Sequence, residues 1–354
     1  MQSNSRVTGQ LPAVRVRPAV AVLALALVAP CVGVQAQDTS AVAAPVSSSV
    51  PIRDAEPVIV SGALPGRGMW KVSKGEHTMY VLGTLSPLPR DMEWTSRDVV
   101  RVLEEADEVM TGYGVRVDAD VGFFGKLAML PNVLGARKNP DDRLLKDVVS
   151  PADYARWLVL KQRYIGRDSG VEKYRPVFAA AELYQEAIED RGMSTSSVID
   201  PVLNEAVKRR KIKVTAPRLT IKVPDPKRAL KSFRDEQLGD RACFSKTLDN
   251  LEADLDRMAD RANAWSVGDV EALRLVPQGD QYEACMDALT GAQALRKYGP
   301  ADLEGAMRSV WLEAAEKALA GNQVTLATLP MRELLKPGNY LETLQAKGYT
   351  VEAP

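Results

Sequence analysis

Histidine is almost missing from this 354-residue chain, which has one, His77. A zinc site built on several imidazoles is therefore excluded. The three cysteines do not replace them, since Cys243 and Cys285 stand 42 positions apart. A Ser-His-Asp triad would have to use His77, and no Gly-x-Ser-x-Gly elbow stands near it. Next to Glu76 in a turn-forming stretch, His77 reads as an exposed surface residue. There is no P-loop and no strand-linked Gly-x-Gly-x-x-Gly, so nucleotide binding has no support. An excess of charge is missing too: Lys+Arg and Asp+Glu both number 46. Nucleic-acid binding needs a basic stripe, and none is present. Aromatic residues make up 6%, and the five tryptophans are dispersed, as core residues are.

Long apolar runs are absent except near the start. Arg6, Arg15 and Arg17 precede an apolar stretch from Ala19 to Val34, and the first acidic residue is Asp38. Val34-Gln35-Ala36 then offers small residues where a signal peptidase reads, so residues 1–36 are expected to be a cleaved leader with Gln37 as the new N-terminus. The stretch is shorter than the roughly 20 apolar residues a membrane span needs, and Pro30 interrupts it. Lipidation at Cys31 is disfavoured by the same proline. The expectation is a periplasmic or secreted protein with no membrane span after cleavage. Its partner would be an unidentified protein or small molecule, and not nucleic acid. In that compartment Cys243 and Cys285 are an even pair, expected to form a disulfide rather than two separate buried thiols.

Residues 37–66, rich in Ala, Ser, Pro and Val, read as a flexible tether, and the folded part runs from 67 to 354. Period-two alternation predicts strands at 69–72 and 78–82, joined by a turn around Gly75. A helix capped by Ser96 with Val99, Val102 and Leu103 on its apolar face follows, then a strand at 108–111. Helical patterns cover 122–130, 151–163, 176–190 and 200–210, with another strand near 211–215. In 244–265 the residues Leu248, Leu251, Leu255, Met258, Ala262 and Trp265 recur at spacings of three and four, the seam of a bundle helix. Asp249, Glu252, Asp256 and Asp260 read as its solvated side, and Asp118 and Asp120 lack calcium-loop spacing. A helix at 303–320, a buried strand at 325–329, a helix at 340–347 and an edge strand at 349–352 close the chain.

Val81-Leu82-Gly83-Thr84-Leu85-Ser86, the tryptophan-bearing strand with Trp70, and Ala106-Asp107-Glu108-Val109 resemble the TraB/GumN family. So does the closing Gly348-Tyr349-Thr350-Val351. The resemblance implies an α+β fold akin to ChaN and erythromycin-esterase proteins. In it a small mixed sheet is built from the N- and C-terminal parts around a large helical middle. It also implies a metal-dependent hydrolase or peptidase. At the positions matching the family's site, however, the histidine is Ser86, the glutamate is Gly112, the Arg-Asn pair is Arg308-Ser309, and Glu333 stands nearest the second histidine. Serine, glycine and one glutamate do not hold a catalytic divalent ion tightly. Two readings follow: a catalytically inactive binding or scaffolding protein with no cofactor, or a hydrolase of altered chemistry using Ser86, Glu333 and Arg308.

Overall fold

The computed structural model describes residues 69–354, apart from 93, 95–96, 120–130, 132, 134, 254 and 277–279. The expected leader and tether, the Ser96 cap, Asp120 and the expected helix at 122–130 lie outside the described residues.

Strands β1 (Met69–Lys74) and β2 (His77–Thr84) form a hairpin in register from Met69 opposite Leu82 to Lys74 opposite His77. Gly75 makes the tight turn possible by taking a φ of +62°, where a side chain is strained. The short β3 (Leu88–Pro89) leads to helix α1 (Arg97–Glu105), which buries Val99, Val102 and Leu103, and then to β4 (Glu108–Met110). Next come β5 (Gly114–Ala119), α2 (Pro151–Tyr164), α3 (Pro176–Asp190), β6 (Met193–Ser194), α4 (Asp200–Arg210), β7 (Lys213–Thr215) and β8 (Arg218–Val223). Helices α5 (Pro226–Asp235), α6 (Arg241–Ala253), α7 (Leu255–Val267), α8 (Val270–Leu275), α9 (Gln281–Thr290), α10 (Gln293–Tyr298) and α11 (Leu303–Gly321) follow. The chain ends with β9 (Val324–Pro330), α12 (Met331–Leu335), α13 (Tyr340–Ala346) and β10 (Thr350–Glu352).

The main sheet has the order β10-β1-β2-β9-β4-β7. β2, β9, β4 and β7 run parallel to one another, while β1 is antiparallel to both of its neighbours. The fold is thus α+β with a mixed sheet. β9 enters between β2 and β4, and all five of its interior residues, Thr325 to Leu329, are buried, as befits a strand covered on both faces. The pairings of Thr84 with Pro330 and of Met110 with Ala327 and Thr215 bring the carboxyl ends of these strands to one edge. Two further pairs, β3 with β6 and β5 with β8, stand apart. The second of these was not expected; Val115, Val117 and Ala119 alternate with Arg116 and Asp118, yet most of β5 is exposed.

The seam at 244–265 is helical on both sides of residue 254, and all six of its apolar residues are buried. Trp265 stacks on Trp94 with ring centroids 5.5 Å apart and donates its Nε1–H to the Gly83 carbonyl at 2.8 Å. Two of the acidic residues are more than a solvated face. Arg156 bridges Asp249 at 2.8 Å and Glu252 at 2.7 Å, while the side chain of Asp256 lies outside the described set. Cys243 and Cys285 are disulfide-bonded, with Cα atoms 4.4 Å apart, and join α6 to α9. Among the described residues no helix is long and apolar enough to cross a membrane.

Gly83 shows how tightly strand meets helix at the carboxyl edge. A Cβ there would overlap Met331 Sδ and stand 3.3 Å from Leu334. Gly83→Ala is expected to destabilise by about 1–3 kcal/mol through overpacking, read from the urea midpoint. Combining it with Met331→Val should cost less than the sum of the single changes. Simple additivity would show that Met331 is not the obstacle.

Candidate functional site

Two of the cavities at the carboxyl edge of the parallel strands, the place where open α/β sheets collect ligands, are bordered by positions singled out in the sequence. The smaller, about 410 Å³, is bordered by Ser86 after β2, Gly112 after β4 and Thr328 of β9, with Thr195 and Arg218. Ser86 Oγ lies 3.5 Å from the Thr195 carbonyl, and Arg218 donates to the Gly112 carbonyl at 2.7 Å. The larger, about 760 Å³, lies between α9, the start of α11 and α12, and includes Glu333. Tyr113, the residue after Gly112, borders both.

The turn from β9 into α12 sets the charged groups of this edge. Pro330 ends the strand and precedes the first turn of the helix, so Arg332 and Glu333 emerge directly from a buried strand. The Arg332 guanidinium lies 3.8 Å from the Tyr282 ring centroid, and its Nε approaches Glu333 Oε1 at 3.3 Å. Behind them sits an aromatic group. Tyr113 stacks on Tyr340 at 5.6 Å, and Trp311 meets Tyr340 edge-on at 5.2 Å. Burial is the main force raising both phenols, and the nearby Glu333 charge adds to it. Tyr340 is pushed up to about 12, and Tyr113 is raised further. Both are therefore protonated donors at ordinary pH, not bases.

Of the four positions singled out in the sequence, Ser86 and Gly112 share the smaller cavity, and Glu333 lines the larger one. Arg308 borders neither. It donates to the carbonyls of Gly338 and Asn339 and, at 2.6 Å, to Thr343 Oγ1, and lies 5.0 Å over the Tyr340 ring. It thereby straps the start of α13 and holds the tyrosine that backs the edge. His77 is not an exposed residue as expected. It is half-buried, with Nδ1 2.6 Å from the Asn322 carbonyl, at the amino end of β2 and so at the opposite edge of the sheet. The residues that sequence reasoning missed are Tyr113, Tyr340, Tyr282 and Arg332. The available signal was a tyrosine between glycines, Gly112-Tyr113-Gly114, next to a motif position.

The model of the TraB/PrgY/gumN family matches residues 68–353. The chain belongs to that family. No curated protein and no solved structure matches it. In this TraB/PrgY/gumN protein the divalent ion that the family resemblance implies meets a donor set that does not fit it. Ser86 is neutral, Gly112 has no side chain, Arg308 is a cation engaged elsewhere, and Glu333 has a guanidinium against its carboxylate. Backbone geometry does not require glycine at 112. A Cβ on Gly112 would touch only the Thr328 carbonyl, at 3.8 Å.

Proposed function

We propose that this TraB/PrgY/gumN protein is exported and acts outside the cytoplasm as a non-catalytic binding or scaffolding protein, keeping the family's cleft as a ligand site. The observation that carries the reading is the donor set at the four family positions. It offers one carboxylate, Glu333, which faces Arg332 at 3.3 Å and lies in a different cavity from Ser86. A serine hydrolase would need a base within about 3 Å of the hydroxyl. The leader motif Val34-Gln35-Ala36 supports export.

The test has two arms on protein recovered from its native host. Mass spectrometry is expected to find an N-terminus at or near Gln37. Elemental analysis and peptide-hydrolysis assays are expected to find substoichiometric zinc and manganese and no turnover. An intact Met1 on extracted protein would overturn the export arm. Stoichiometric metal lost on Glu333→Gln, or hydrolysis abolished by Ser86→Ala, would overturn the inactive reading in favour of an altered hydrolase.

A further inference from the structure

The ribbon of β5 and β8 has a free edge. Among the described residues β5 is paired with β8 on one side and with no strand on the other. The Gly114 N–H donates to the Pro217 carbonyl at 3.2 Å, which sets the phase of the parallel ladder. Gly114, Arg116 and Asp118 therefore turn their backbone groups toward β8, and Val115, Val117 and Ala119 turn theirs outward. None of those outward N–H and C=O groups makes a hydrogen bond among the described residues. Such an edge is a template for a further strand unless proline, lysine or a bulge blunts it. β5 has no proline or lysine, and its register with β8 is unbroken from Gly114 to Ala119.

The side chains supply a second, independent observation. On one face of the ribbon Val115, Val117 and Ala119 stand beside Leu219, Ile221 and Val223. Ile221 and Val223 are buried, whereas Val115 is 39% and Val117 57% exposed. The apolar face thus extends past the part that the fold covers. On the other face Arg116 and Asp118 are exposed and make no ion pair among the described residues.

The order of these residues selects the occupant. Let a second copy of β5 lie antiparallel, with a two-fold axis through Val117. Val117 then meets Val117 and Val115 meets Ala119 in hydrogen-bonded pairs, made by the outward backbone groups. Arg116 of each copy meets Asp118 of the other at the non-hydrogen-bonded positions, where Cα atoms are about 4.5 Å apart and side chains are closest. Moving the axis by one residue opposes Arg116 to itself or Asp118 to itself, and a parallel copy in register does both. The charges that would repel many other strands are complementary to a second copy of the same strand.

We propose that this protein forms a symmetric dimer by antiparallel pairing of β5 with β5 of a second copy, giving one sheet in the order β8-β5-β5-β8. The same patch serves both copies, as a two-fold interface requires. A strand of six residues offers less area than the roughly 1,200–2,000 Å² of a stable interface, so the dissociation constant is expected at about 1–100 μM. No residue from Val115 to Ala119 lines either cavity, so the inference stands apart from the non-catalytic reading.

The experiment is sedimentation equilibrium on the chain from Gln37 to Pro354, loaded from well below to well above that range. A monomer–dimer equilibrium is expected. Arg116→Asp alone and Asp118→Arg alone each bring like charges together at both positions, and each should weaken the dimer at least tenfold. Mixed in equal amounts, the two variants oppose an acid to a base at both positions and should dimerise as the parent chain does. The double variant Arg116→Asp/Asp118→Arg should do the same. Val117→Lys, which sets two ammonium groups at the axis, should leave only monomer. All three positions are exposed, and circular dichroism checks that each variant is folded. Monomer throughout the range, a dimer that none of the single variants weakens, or a mixture that stays monomeric would overturn the proposal. None of these outcomes touches the metal and hydrolysis assays, so this inference and the non-catalytic reading fail separately.

Discussion

Reducing the Cys243–Cys285 disulfide is expected to lower the unfolding free energy by about 4 kcal/mol, the chain-entropy value for a loop of this span. The cysteines are 42 positions apart, and Cys243 is fully buried in α6. The bridge holds α9 against α6, and α9 supplies Tyr282, Glu283, Met286 and Asp287 to the larger cavity. Stability and the cavity wall are thus tied to one bond. Urea unfolding with and without a phosphine reductant measures the effect, and equal midpoints would reject it. Protein beginning at Gln37 lacks Cys31 and should show no titratable thiol when denatured without reductant.

Arg175→Met should be nearly as severe, at about 3–5 kcal/mol, because it removes a buried cation from the groups built around it. Arg175 is 1% exposed. Its guanidinium donates to the carbonyls of Phe233 and Arg234 at 2.7 Å, Glu236 at 2.8 Å and Lys138 at 3.1 Å. Three of these are the end carbonyls of α5, which have no partner within their own helix. Asp240 gives the loss a pH dependence. Burial raises its carboxyl above the ordinary 3.8, and the Val177 N–H and the Arg175 charge partly oppose that rise. Below 3.8 both native and unfolded states hold the proton, and the stability linked to this group is fully present. As pH climbs through the raised native value, that stability is lost. Without Arg175 the native value rises further and the loss grows. The penalty of Arg175→Met should therefore be smaller near about pH 4 than near about pH 7. A penalty independent of pH would show that Asp240 does not feel Arg175.

Local periodicity was a good guide where each element has one buried face. The hairpin, the helices at 151–164, 176–190, 200–210 and 303–321, and the closing strand–helix–strand stand within a few residues of their expected places. The seam from Leu248 to Trp265 is buried as its spacing implies. Pattern reading failed where chain polarity and burial part company. β5 is a mostly exposed strand, and α5 has no buried residue among those that form it. Each carries a periodic apolar pattern, Val115 and Val117 in β5 and Leu230 and Phe233 in α5, that the fold leaves exposed or half-buried.

The sequence alone determined the family likeness, the scarcity of imidazole and the pairing of two cysteines, because these depend on residue identity and local spacing. It also placed Ser86, Gly112, Arg308 and Glu333 at motif positions, but spacing along a chain says nothing about which cavity a side chain enters. The parallel insertion of β9 between β2 and β4 brings residues 86, 112 and 333 to one edge, through pairings that span more than 200 positions. Only tertiary packing then decided the rest. The Tyr113 ring stands between two cavities, Arg308 turns away to strap α13, and Glu333 is buried beside a guanidinium. Long-range strand register and the burial of charge are settled by the whole fold at once, and no local stretch of sequence encodes them.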